Sequence, residues 1–271
     1  MRLAIRHTTR YLFSQPVAHG LQRLRLRPKP THGQVVLQWQ TQLTGGRIEV
    51  EYDDQHNNHI ALVSLDPGTS ELAITCSGVV ETVDRAGVVG QHSGLVPLWL
   101  FLRQTDLTRP GPKMRALIAG LQADRSDRLS MLHALTNAVL TALAYEIGHT
   151  NASTTGEQAL EAGHGVCQDH AHVFIGCARA LGVPARYVSG YLMMDDRIDQ
   201  EAGHAWAEAH VEGLGWVGFD VSNGISPDAR YVRVATGCDY RDAAPVTGVS
   251  VGAGEAALAV SLAVEQQVAE Q

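Results

Sequence analysis

GHGVCQDHAHVFIGCARALGVPARYVSGY, residues 163–191, is the stretch on which the fold turns. Gly163 and Gly165 bracket an approach that runs straight into a helix, because Ala171, Phe174, Ile175, Ala178 and Leu181 recur at i, i+3, i+4 spacing and make one apolar face. Gly182 supplies the C-terminal cap, Pro184 blocks continuation, and Ala185 to Leu192 then reads as a strand. Cys167 thereby falls in the first turn of the helix. Unpaired backbone N–H groups and the positive end of the helix dipole there favour a thiolate, the attacking form of cysteine. The small residues before it admit a substrate backbone, and the Cys167 N–H is placed as one oxyanion donor. A solitary cysteine is ordinarily a small buried hydrophobe, which is the reading for Cys177.

The segment downstream lifts Cys167 above that ordinary reading. In HAWAEAHVEGLGWVGFDVSNG, residues 204–224, strict alternation puts His204, Trp206, Glu208 and His210 on one face of a strand and Ala205, Ala207, Ala209 and Val211 on the other. Glu212-Gly213-Leu214-Gly215 reverses the chain into a second strand, Trp216 to Asp220. Pairing Val211 with Trp216 brings Asp220 opposite Ala207, within reach of His204, where a carboxylate would fix the imidazole's tautomer and orientation. The candidate constellation is Cys167, His204 and Asp220, in that chain order.

GVCQDHAH with ALGVPARYVSGY, then GHAWAEAHV, then GWVGFD with Asn223-Gly224, closely resembles the transglutaminase-like superfamily of papain-related cysteine enzymes. The resemblance covers residues 145–242 as ordered motifs, and the N-terminal strands look like the small β region preceding the core in many bacterial members. It implies Cys167 as nucleophile, His204 as general base and acid, and Asp220 as the residue orienting the histidine. It also implies an upstream oxyanion donor, for which Tyr145 is the candidate. Gln168 in the first helical turn is read as lining the cleft, and Trp206, on the same strand face as His204, either as a wall of the substrate channel or as a core residue. Relatives usually read Asp-Pro-Thr-Asn-Gly at the aspartate, whereas Val221 and Ser222 replace Pro and Thr here. Cys238 stands where an arginine is common and Tyr231 where many have histidine.

From Arg2 to about Asp84 short alternating strands are expected over residues 2–13, 34–43, 47–52, 60–65 and 71–83. Gly45-Gly46, DDQHNN at 53–58 and Asp66-Pro67-Gly68 supply the turns. After a break at Thr108 to Pro112 the period becomes helical, with Leu129, Leu132, Leu135, Val139 and Leu143 behind Asp127 as N-cap. The tail returns to strand, Leu258, Val260, Leu262 and Val264 alternating with smaller residues. The expected architecture is α+β: an antiparallel N-terminal β domain over 1–105, then a papain-like core over 106–271 with the nucleophile at a helix start packed on an antiparallel sheet.

Composition bounds the alternatives. With 271 residues, 45% hydrophobic and 18% charged, the chain is that of a folded protein, and its mean hydropathy is −0.07. No apolar run reaches a bilayer span, the N-terminus lacks a signal-peptide stretch, and four cysteines without CxxC pairing argue against a disulfide scaffold, so a cytoplasmic location is expected. The net charge of −7 divides unevenly: residues 1–48 carry seven Arg and Lys29 with no acid, leaving −15 for the rest. Alternation in QRLRLRPKP, residues 22–30, puts Arg23, Arg25 and Arg27 on one face, read as the solvated side of an outer strand and not as a nucleic-acid patch. His164, Cys167, His170 and His172 invite a metal reading, but His172 points away from the Cys167–His170 face and no second ligand pair follows. His170, His172 and His210 are read as ordinary packing residues, and Asp169 as a local cap. Asp195, Asp196, Asp199 and Glu201 form an acidic loop before His204, read as solvated. No cofactor, metal, membrane or nucleic acid is expected; EF-hand loops are absent from the sequence. The expected activity is cysteine-dependent acyl transfer on peptide or protein amides through a thioester. A protease or amidase is favoured over transfer to an amine. A peptide-binding module that has kept the fold without the chemistry is the reading from another class.

Overall fold

The computed structural model describes residues 1–124 and 126–267. The N-terminal strands form where alternation calls for them: β1 (Arg2–Phe13), β2 (His19–Leu24), β3 (Gln34–Thr44), β4 (Gly46–Asp53), β5 (His59–Leu65) and β6 (Glu71–Thr82). A short β7 (Val88–Gly90) and a 3-10 turn over Leu98–Leu102 lead to α1 (Pro112–Gly120) and α2 (Arg128–Ala142). Asp127 caps α2 by accepting the Ser130 N–H. Next come β8 (Ala144–Tyr145), α3 (Gly156–Ala162), β9 (His164–Gly165) and α4 (Cys167–Ala180). The chain closes with β10 (Ala185–Leu192), β11 (Asp199–Gln200), β12 (His204–Val211), β13 (Gly215–Phe219), β14 (Tyr231–Gly237), α5 (Tyr240–Ala243), β15 (Val246–Val251) and β16 (Ala256–Gln266).

The core sheet has the order β14-β10-β12-β13-β7, antiparallel throughout. Ala205, Ala207 and Ala209 of β12 share one hydrophobic cluster with Val173, Phe174 and Cys177 of α4, the helix lying on the alanine face. Side chains this small let the helix sit close to the strand. Gly176 serves the other side of the helix, since a Cβ there would stand 2.0 Å from the Thr108 carbonyl oxygen. Two further sheets, β11-β16-β1-β6-β3 and β15-β2-β5-β4, take up the N-terminal strands. Chain order and sheet membership diverge: β15 and β16 return to the N-terminal sheets, while β7 is the edge of the core sheet. The expected tail strand is thus β16, paired with β1 along its length.

The basic strand departs from expectation. β2 is interior, between β15 and β5, and it ends at Leu24. Arg23 and Arg27 are exposed, but Arg25 is buried, 3.8 Å from Asp54 and donating to the Ala244 carbonyl. Beyond Leu24 the chain crosses toward the core, with the Arg25 N–H on Pro245 O and the Lys29 N–H on Arg233 O, so period-two alternation no longer governs which side chain meets solvent.

Candidate active site

Cys167 is the first residue of α4, and its position is set from both sides. Gly163 ends α3 in the left-handed region (φ 81°), which a residue with a Cβ takes up only with strain. Gly165 then pairs in parallel with Tyr145, next to the helix start. The Asp169 carboxylate closes the N-terminus, accepting the Val166 N–H at 2.8 Å and the Thr150 hydroxyl at 2.7 Å, the local cap expected of it. Burial raises its pKa, and those two hydrogen bonds oppose the rise.

His204 begins β12, and its Nε2–H donates to Asp220 Oδ2 at 2.6 Å, leaving Nδ1 for Cys167. The register differs by one residue from the expected one: Val211 pairs with Gly215, and Ala207 with Phe219. Gly213 and Gly215 take φ of 83° each, so a three-residue loop closes the hairpin. The expected register would have put Asp220 opposite Ala207, on the face away from His204. Continuing the observed one sets it opposite Trp206, on the histidine's own face.

Asp220 is fully buried and saturated with donors. Besides His204 it accepts the Tyr231 hydroxyl at 2.7 Å, the Asn223 amide at 2.7 Å, and the Ser222 hydroxyl at 2.8 Å. Burial alone would raise its pKa, but these bonds and the His204 charge bring it down to about 2. Burial likewise works against charge on His204. The hydrogen bond to Asp220 and its charge, together with the neighbouring Cys167 sulfur, outweigh it, pushing the imidazole up to about 10. Two of the departures from the family pattern thus land on the aspartate: Tyr231 and Ser222 both donate to it.

The other candidates separate. Gln168 lines the cleft with Cys167 and His204. Tyr145 is half exposed and is not among the residues lining the cleft; burial first, and then the Cys167 and Asp220 charges, hold its phenol up to about 12, so it is a neutral O–H donor. Trp206 does not wall the cleft. It is buried in a cluster with Val188, Leu192 and Tyr231 and stacks behind His204 with ring centroids 6.2 Å apart, because the cleft opens at the start of β12 while Trp206 points into the sheet's covered face. His170 and His172 are fully buried, deeper than expected. His170 Nδ1 and Nε2 lie 3.0 Å from the Val166 and Leu143 carbonyl oxygens, whereas His172 Nε2 accepts the Tyr240 N–H and burial lowers it to about 3. In the acidic loop, Asp195 pairs with Arg230 and Asp196 with Arg197.

The cleft at Cys167 encloses about 300 Å³. Its far wall comes from β1 and β16: His7, Thr9 and Tyr11 with Leu258 and Val260. His7 Nδ1 lies 3.0 Å from the Tyr191 hydroxyl, and burial lowers its pKa to about 4, so it is neutral near pH 7. These wall residues carry no local motif, and only the folding of the N-terminal sheet onto the core brings them to Cys167. Tyr231 did carry a signal, as a polar residue at a patterned position.

Residues 115–221 match the family described as the transglutaminase-like superfamily, and residues 3–81 match the bacterial transglutaminase-like N-terminal region. An uncharacterized protein of Mycobacterium leprae (strain TN) is 28% identical over 269 residues, spanning 93% of this chain and 94% of that protein. One of Mycobacterium tuberculosis (strain ATCC 25618 / H37Rv) is 39% identical over 131 residues, which are 45% of this chain and 42% of its own length. Among solved structures, the "Putative Cysteine Protease" from Cytophaga hutchinsonii has the same fold, with a TM-score of 0.75 at 22% identity over 100% of this chain and 92% of that one.

Proposed function

Because the chain belongs to the transglutaminase-like superfamily, we propose that it is a cysteine-dependent acyl-transfer enzyme acting on peptide or protein amides, foremost as a protease or amidase. The observation that carries this reading is His204, held by Asp220 at 2.6 Å with its remaining ring nitrogen free for a cysteine at a helix start. The Cys167 thiolate attacks the amide carbonyl carbon, and the developing oxyanion is met by the Cys167 N–H and the Tyr145 hydroxyl. The imidazolium of His204 gives its proton to the departing amine as the C–N bond breaks, leaving a thioester. Water, deprotonated by His204, then attacks the thioester and regenerates the thiol. Asp220 stays ionised throughout, stabilising the imidazolium and keeping the ring in place.

A second acceptor is favoured by one specific feature. The cleft is lined largely by apolar side chains, among them Leu26, Val234, Val246, Leu258 and Val260, which disfavour water relative to the stem of a primary amine. Incubation of a glutamine-containing peptide library with and without a labelled amine separates the two routes. Hydrolysis gives cleaved or deamidated peptides in both arms, and amine transfer gives labelled peptides in one. The absence of either product from folded protein would leave a peptide-binding module. A peptide or protein is the proposed partner; a cytoplasmic location is proposed on the unpaired state of all four cysteines.

A further inference from the structure

A second cavity, about 880 Å³, is larger than the cleft and shares no lining residue with it. It lies between the crossing segment 27–32 and the face of the core sheet that bears Glu208. Glu208 is fully buried and receives two guanidinium groups: Arg186 Nε at 2.6 Å, Arg233 Nε at 2.7 Å and Arg233 Nη2 at 3.0 Å. One carboxylate therefore answers two fixed cations. Arg27 at the mouth adds a third guanidinium. The one acid in the lining, Asp53, has His59 Nδ1 at 3.5 Å.

The Lys29 ammonium donates to His56 O at 2.6 Å and to Asn58 Oδ1 and Thr236 Oγ1 at 3.0 Å each. Even so, burial, and next the charges of Arg233 and Arg186, push it down to about 6. Lys29, its donors spent on protein acceptors, therefore offers a ligand little charge, and the fixed positive charge of the cavity is carried by its arginines. The Arg186 guanidinium lies over the Trp216 indole, 3.8 Å from the ring centroid, which fixes its plane and leaves its outer edge free. Arg186 Nη1 and Nη2 and Arg233 Nη1 meet no protein acceptor among the described residues, and none of the three is sealed from solvent.

We propose that this cavity binds a small phosphorylated molecule, its phosphate held by the free guanidinium edges of Arg186 and Arg233 with Arg27 at the mouth. Glu208 takes only the Nε groups and one Nη of these two guanidiniums, so three spare NH2 groups, with a third guanidinium at the mouth, suit the several oxygens of a phosphate. The volume leaves room beyond the phosphate for an organic group against Trp216.

The test is calorimetric titration of the full chain with phenyl phosphate and with inorganic phosphate, against acetate and chloride at matched ionic strength. Saturable binding of phenyl phosphate is expected, weakened about tenfold in Arg186→Lys, which keeps the charge but loses the fork, and about threefold in Arg27→Ser. Arg10→Ser, on an exposed stretch of β1, should bind as the parent does. Hydrogen exchange should show protection of residues 27–32 and 89–93 on binding. If Arg186→Lys fails to fold, Arg27→Ser and the exchange pattern decide. Absence of saturable binding, equal binding of acetate, or unchanged affinity in Arg27→Ser would overturn the proposal, and none of these outcomes depends on the chemistry of Cys167.

Discussion

Asp220 illustrates how much a single buried carboxylate asks of its neighbours. Four side chains donate to it, Tyr231 among them. Tyr231→Phe keeps the ring that packs on Trp206 but removes one donor to a charged group, so kcat/KM is expected to fall about tenfold with KM little changed. A fall no larger than the scatter of the assay would show that Tyr231 only fills space. The reactivity of Cys167 offers a direct reading of the same constellation. Iodoacetamide should label Cys167 below neutral pH in the parent protein and lose that acidic labelling in His204→Ala, with buried Cys177, whose thiol is pushed up to about 12 by burial, as the slow internal control. Labelling of Cys167 as slow as that of Cys177 in folded protein would remove the nucleophile assignment.

At the scale of elements, the site depends on how closely α4 approaches its surroundings. Gly176 faces the Thr108 carbonyl, and since a Cβ there would stand 2.0 Å from that oxygen, Gly176→Ala must shift the helix or the loop. The substitution should destabilise by about 3 kcal/mol, measured by urea unfolding, even though alanine favours helix more than glycine does. A stabilised variant would mean that the helix floats on the sheet. The hairpin between β12 and β13 makes the complementary point about register. Alternation identified both strands, but the turn decides which face Asp220 occupies, and the glycines at 213 and 215 select the shorter loop.

At the scale of the whole molecule, the buried His204–Asp220 pair ties stability to pH. A folded value of about 10 against 6.5 means that His204 contributes stability complete below about 6.5 and lost as pH rises through about 10. A folded value of about 2 against 3.8 means that Asp220 contributes stability present above about 4 and lost as pH falls through about 2. His204→Ala should therefore cost more stability near pH 6 than at about pH 11, by chemical denaturation; an equal cost at both would show that the pair is not ionised. The tail is a second whole-molecule feature. β16 lies between β11 and β1 and brings buried Leu262 and Val264 to the core that β1 shares with β14. Truncation after Glu255 should abolish the cooperative thermal transition and expose dye-binding apolar surface, and a chain that still melted cooperatively would show that the N-terminal sheet stands without its last strand.

The sequence alone determined the helix that opens at Cys167, the strands over Ala185–Leu192 and His204–Val211, and the order cysteine, histidine, aspartate. These are local matters: apolar spacing, glycine and proline punctuation, and alternation act over a few residues and leave their mark in the chain. Tertiary structure alone decided the rest. The face taken by Asp220 follows from the loop geometry, the burial of Arg25 and Trp206 from what covers them, and the far wall of the cleft from the packing of β1 and β16 against the core. The last two bring together residues tens to hundreds of positions apart, and no short-range pattern encodes which distant surface a side chain will meet.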